Sequence, residues 1–470
     1  MATINIINKS TIIGTNTRQR IDSEYYQAHY VKNDEALRKG SYFKIGTRYY
    51  VTDGEHGSVK YYPSGIRYLT AENINGGFVD ISNVRYVDER VHENNARASV
   101  NPGDVLISIK ATLGQVALAK ECLPPCNMNR DVAIIKPLSA QHYRAESSYL
   151  TVFLMSKHGY IQAQRGASGA VQQMITLERL RQFVVPAFSK KFYSSIHSLL
   201  MSAYERRDES INLYAETEGY LRSILGISDL ATSASKISVR GWAESFLRSG
   251  RIDAEYYQEK YDYIENALQT PYTVKDLCKI HESPFRLLTG DYKYIELSNI
   301  GPYGNITGCT VAPFDKLPSR ARRLIRRGQI IVSSIEGSLG SCALVNDEYD
   351  GALCSTGFYV MDAPGINPET LLILFKSAPI QALLKKRCSG TILAAISKNA
   401  LEAMPIPLVD DAAQAHIAAD VQRSFTLRRQ SECLLETAKR AVELAIEEGE
   451  VTAMGWLGGQ EHALTTLPLT

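Results

Sequence analysis

The chain has 470 residues, 44% hydrophobic and 22% charged, with a net charge of +2. That length predicts two or three domains, and the composition excludes a disordered chain. No run approaches the roughly 20 uncharged apolar residues of a spanning helix, and the start MATINIINKSTIIG has no leader-like apolar stretch with a cleavage site; the expected location is the cytoplasm.

In chain order, an extension (1–19) precedes a mixed α/β segment (20–187), whose β-branched runs 105–109 and 132–135 lie between glycines and prolines. Residues 188–226 lack proline and nearly lack glycine, which predicts a long helix with an apolar face at Ile196, Leu200, Ala203, Leu213, Tyr220, Leu221 and Ile224. A linker (227–250) leads to a second mixed segment (251–407) with similar runs at 329–332 and 358–361. A second long helix is expected within 408–450, with Ile417, Val421, Phe425, Leu434, Ala438, Val442 and Ala445 on its face, and 451–470 form a tail. The mixed three- and four-residue steps read as an interrupted coiled-coil-like seam rather than a strict heptad. Both faces weaken where Arg207 and Ser210 align with Arg428 and Ser431. The helices are expected to pair with each other, antiparallel; the alternative is that each docks on its own globule.

The two mixed segments repeat one another. Arg20-Ile21-Asp22-Ser23-Glu24-Tyr25-Tyr26 returns as Arg251-Ile252-Asp253-Ala254-Glu255-Tyr256-Tyr257, and residues 67–74 have a looser echo at 293–300. Gly103-Asp104-Val105-Leu106-Ile107-Ser108 matches Gly328-Gln329-Ile330-Ile331-Val332-Ser333, and each is followed by a Leu-Gly turn and another strand-like run. Ser168-Gly169 through Ile175-Thr176 to Pro186 parallels Ser389-Gly390 through Ile396-Ser397 to Pro407. Ordered matches of this kind predict one fold used twice. The copies also differ, with Gln329 in place of Asp104 and the apolar Thr391-Ile392-Leu393-Ala394 in place of Ala170-Val171-Gln172-Gln173.

Globule, long helix, globule, long helix, with these motifs in this order, resembles the specificity subunit of type I restriction–modification systems over roughly residues 18–450. The resemblance implies two α/β target-recognition domains joined by an antiparallel pair of spacer helices, whose seam would include Ile196, Leu200, Leu213, Leu221, Ile417, Val421, Leu434 and Val442. It further implies double-stranded DNA as ligand and two modification subunits as partners, joined in some complexes by restriction subunits. S-adenosylmethionine, ATP and magnesium would belong to those partners, with no cofactor, metal or catalytic residue in this chain. Spacer helices of 35–40 residues would be about 55 Å long, and their length would set the unread gap of a bipartite target.

The residues themselves agree in part. No phosphate-binding loop, Rossmann glycine cluster, zinc-protease or deaminase spacing occurs. Cys122 and Cys126 lie close together without further ligands at zinc spacing. Candidate DNA contacts are Arg320, Arg322 and Arg323, clustered with Arg326 and Arg327; Lys385, Lys386 and Arg387 before the second Ser-Gly loop; and Arg165 at the related place in the first. Gln172 and Gln173 suit base edges, as do Lys110, Arg130 and Glu336. A scaffold for two protein partners, or a nuclease with an unfamiliar site, remains open on these residues alone.

Overall fold

The computed structural model describes residues 22–120, 123–138, 144–168, 173–226, 237–281, 290–390 and 393–465. The N-terminal extension, Cys122, Gln172 and part of the 227–250 linker lie outside them. Contacts divide the chain into two units, residues 1–207 with 428–468, and residues 208–427 with the last two residues. The long helices Lys190–Leu225 and Asp411–Glu447 are each continuous and contribute one half to each unit.

In the first unit a four-stranded antiparallel sheet runs Tyr49–Asp53, Val132–Pro137, Val105–Ser108, Val116–Leu118. Alternate side chains of a strand point to opposite faces. Val105, Ile107 and Ile135 therefore join a core with the helices, while Leu106, Val132 and Ile134 join a core beneath a second sheet. Burial on both faces explains why these strands read as unbroken apolar runs. The second sheet runs Arg85–Val87, Ile66–Leu69, Cys126–Met128, and its last pair is parallel.

The second unit repeats the plan. Its main sheet runs Lys279–His281, Phe358–Asp362, Ile330–Ser333, Cys342–Leu344, again antiparallel. Ile330 and Val332 face one core, Ile331 and Val360 the other. Its second sheet, Thr310–Pro313, Asp291–Ile295, Leu353–Ser355, keeps the parallel pair and adds the strand Ala321–Leu324. A helical hairpin follows in each unit, Ala145–Met155 with Lys157–Gly166 and Pro368–Lys376 with Ala378–Arg387. The Ile-Thr and Ile-Ser of the repeat are N-caps: Thr176 accepts from Arg179 N, and Ser397 from Ala400 N, each starting a five-residue helix. The same topology occurs twice.

The departure at Asp104 is compensated. Asp104 is buried and lies 2.8 Å from Lys136 Nζ on the neighbouring strand. Gln329, at the same place in the second copy, donates to Asp362 Oδ1 at 2.8 Å. The acid has moved across the strand pair.

The helix seam corrects the sequence reading, because it is a strict heptad. Ile196, Leu200 and Ala203 face Ser431, Leu435, Ala438, Val442 and Ala445 in the first unit, and Ser210, Tyr214, Thr217 and Leu221 face Ile417, Val421 and Ser424 in the second, all buried. The half-buried Arg207 and Arg428 complete the steps of three and four. Leu213, Leu434 and Phe425 are only half-buried, and Tyr220 and Ile224 are exposed. An apolar count missed the positions filled by small hydroxyl residues. Ser431 Oγ donates to the Ala203 carbonyl at 2.6 Å, and Ser424 Oγ to the Ser210 carbonyl at 2.9 Å. Such bonds satisfy the hydroxyls and require the helix backbones to approach closely. In the second unit residue 210 meets 424 while Tyr220 meets His416, so the halves there run antiparallel.

The tail is helical from Glu450 to Thr465; Ala453 and Leu457 enter the first core, and Glu450 accepts from Ser189 N.

Candidate nucleic-acid interface

In each copy the same two hydrogen bonds gather loops at one end of the main sheet. Ile109 N donates to Asp131 O and Ile175 N to Ile109 O; in the second copy Ser334 N donates to Gly357 O and Ile396 N to Ser334 O. The first loop end thereby brings together Lys110, Arg130 and Gln173. Arg130 and Gln173 are exposed, and Lys110 is half-buried with its Nζ 3.9 Å from Asp131. Ala111 beside it holds φ +57°, a conformation that costs a residue with a Cβ and persists only where surrounding contacts impose it. The second loop end gathers exposed Glu336, through its N–H to the Ala394 carbonyl, and exposed Arg320, whose carbonyl takes Thr356 N. Glu336, Gln381 and Lys385 line one open depression of about 570 Å³ there. The two ends are built alike and carry different side chains.

Several predicted contacts belong instead to the interior. Arg165 is 7% exposed, its guanidinium 4.2 Å from the Tyr25 ring centre and its Nε donating to the Tyr25 carbonyl. Lys386 is equally buried, 2.9 Å from Glu265 and 5.2 Å from the Tyr256 ring centre, and Arg387 pairs with the same carboxylate. The five-arginine cluster also disperses, because residues 321–324 form a strand rather than a helix face. Arg323 turns inward to the Phe358 carbonyl, Arg326 and Arg327 meet Asp350 and Asp347, and Arg322 lies over Phe314. Of the cluster, Arg320 reaches the loop end.

These corrections explain the opening motif of the repeat. Asp22 and Asp253 accept from the N–H of Tyr25 and Tyr256 at the same 3.1 Å, and each tyrosine ring then receives a cation from the end of the helical hairpin. Asp34 in one copy and Glu265 in the other complete the cluster. The motif ties the entry of each globule to its hairpin. Burial raises the Glu265 pKa, but Lys386 and Arg387 outweigh it and hold the carboxyl below its ordinary range. A lowered carboxylate pKa gives stability that is present above the unfolded value and is lost as pH falls through the folded one. Glu265→Gln is therefore expected to lower the urea midpoint at neutral pH. The difference from wild type should close as the buffer is taken below the ordinary carboxylate range.

The sequence reading missed Lys60, Tyr61, Tyr62 and Arg85, which lie at the Arg85–Val87 edge of the first copy's second sheet. A lysine followed by paired tyrosines was the signal available. Among the described residues no cluster of ligands could hold a metal ion, and no helix is long and apolar enough to cross a membrane.

No protein-family model matches the sequence, and no curated protein matches it. Among solved structures, the chain is similar to a type I restriction–modification system S subunit from M. genitalium, at 14% identity over 86% of this chain and 94% of that one, with a TM-score of 0.41. An HsdS subunit from Thermoanaerobacter tengcongensis matches at 14% identity over 87% and 97%, TM-score 0.29. The type IIG restriction endonuclease BpuSI matches at 9% identity over 38% of this chain and 29% of its own, TM-score 0.29.

Proposed function

We propose that this chain is the DNA-reading subunit of a type I restriction–modification or methyltransferase complex. One observation carries the reading: a single topology occurs twice, and its two equivalent loop ends bear different polar side chains. Base edges are told apart by the donors and acceptors presented to them. Lys110, Arg130 and Gln173 on one copy, against Arg320 and Glu336 on the other, suit two unlike half-targets and hence an asymmetric, bipartite site. The chemistry falls to partners: two modification subunits that methylate adenine with S-adenosylmethionine, and, where present, restriction subunits that use ATP and magnesium.

The test is methylation sequencing of a host carrying the modification subunits, with and without this chain. A gapped, adenine-modified motif should appear only when the chain is present. A motif that persists in its absence, or cleavage of DNA by the purified chain alone with metal, would overturn the proposal.

A further inference from the structure

The first globule carries a pair of tyrosines for which its own fold has no full use. Tyr61 and Tyr62 are 43% and 39% exposed, and each has a cation on its ring: the Arg85 guanidinium is 4.8 Å from the Tyr61 centre, and Lys60 Nζ is 5.3 Å from that of Tyr62. Single exposed aromatics are ordinary. Adjacent rings that each hold a cation on one face combine stacking area with positive charge, the combination that nucleic-acid grooves use.

The place is also specific. Tyr62 N donates to the Tyr86 carbonyl, fixing the run against the strand Arg85–Val87. Tyr61 lies 6.1 Å from Tyr68, which is buried in the strand Ile66–Leu69. That strand ends at Leu69, whose carbonyl takes Asn129 N in the turn that carries Arg130. Tyr61 is thereby linked to the loop end through Tyr68 and Leu69, and Tyr62 continues the surface along the sheet edge beside Arg85–Val87. In the second copy Tyr294, at the place of Tyr68, packs in one cluster with Leu317 and Ala321, with Tyr292, Phe314 and Leu324 around them. There Arg322 lies over a half-buried Phe314, whereas Tyr61 and Tyr62 of the first copy are exposed.

We propose that Lys60, Tyr61, Tyr62 and Arg85 form a shelf that grips the DNA backbone beside the first half-target. The rings lie against deoxyribose, and Arg85 and Lys60 meet neighbouring phosphates, so the shelf sets register without reading bases. This rests on the DNA-reading function above. A contact to sugar and phosphate is the same for every sequence, whereas a contact to base edges is not.

The experiment uses the full chain in complex with its modification subunits and measures fluorescence anisotropy on a target duplex and an unrelated duplex. Tyr61→Ala/Tyr62→Ala should weaken both about tenfold, while Tyr61→Phe/Tyr62→Phe should bind as wild type. Lys60→Gln/Arg85→Gln should make the dependence of log affinity on log salt shallower by about two. The methylated motif should not change in any variant, and thermal midpoints should stay at the wild-type value. Unchanged affinity in the alanine pair, with a wild type that binds, overturns the shelf alone. A change of one base in the motif overturns it too, because the residues would then be readers. A wild-type complex that ignores DNA overturns the reading on which the shelf rests.

Discussion

Arg165→Met is expected to destabilise the first unit by about 3 kcal/mol, seen as a fall in its urea midpoint, and to leave the salt dependence of DNA binding unchanged. The side chain is 6% exposed, and its guanidinium lies over Tyr25, with Arg179 on the same ring at 4.9 Å. Burial pulls its pKa down, with Arg179 adding to that and Tyr25 and Asp34 opposing it. Methionine keeps most of the volume, yet it removes the Nε donor to the Tyr25 carbonyl and one of the two arginines beside Asp34, the other being Arg38. Stripping one member from a buried charge cluster is costly because its partners stay desolvated. Lys386→Met should act in the same way on the second unit, where it would leave Glu265 with Arg387. A phosphate contact would give the opposite pattern: unchanged stability and a salt slope shallower by about one.

Lys110→Ala/Arg130→Ala should weaken target binding about a hundredfold and relax one half of the methylated motif only. Removing Lys110 also takes away the cation 3.9 Å from the Asp131 carboxylate and leaves that carboxylate with Asn129, which adds repulsion toward phosphate. Arg320→Ala/Glu336→Ala should relax the other half and spare the first, since those residues sit on the second copy's loop end. Methylation sequencing of both variants, side by side, reads the outcome directly. Both halves relaxing in one variant, or neither relaxing in either, would show that the loop ends are not the readers.

Much of the architecture could be read from residue order. Ordered repeats predicted the twice-used topology, since a shared strand order needs the same turns at the same places. The two-sided burial of strands such as Val105–Ser108 gave their apolar runs. The seam was harder, because Ser210, Thr217, Ser424 and Ser431 look polar in one dimension and are satisfied inside the helix pair, Ser210 by the Ser424 hydroxyl and the other three by a backbone carbonyl on their own or the facing helix. The candidate site was least legible. A cation in a sequence does not announce the ring or carboxylate it will meet, and Arg165 and Lys386 meet theirs 140 and 121 residues away. Arg326 and Arg327 likewise find Asp350 and Asp347 beyond the hairpin of Ile330–Ser333 and Cys342–Leu344. Gln173 and Glu336 stay exposed at the loop ends, where hydrogen bonds common to both copies hold the neighbouring backbone.

The acid that changed strands limits how the two copies can be recombined. A hybrid domain with residues up to the Val105–Ser108 strand from the first copy and the remainder from the second would set Asp104 against Asp362, two carboxylates where each parent has one. The reverse hybrid would set Gln329 against Lys136 and leave an ammonium without a counter-ion. Crossovers between these strands are thus disfavoured by charge alone, whatever happens at the loops. Segments exchanged between relatives, by recombination or by design, should travel with both strands together.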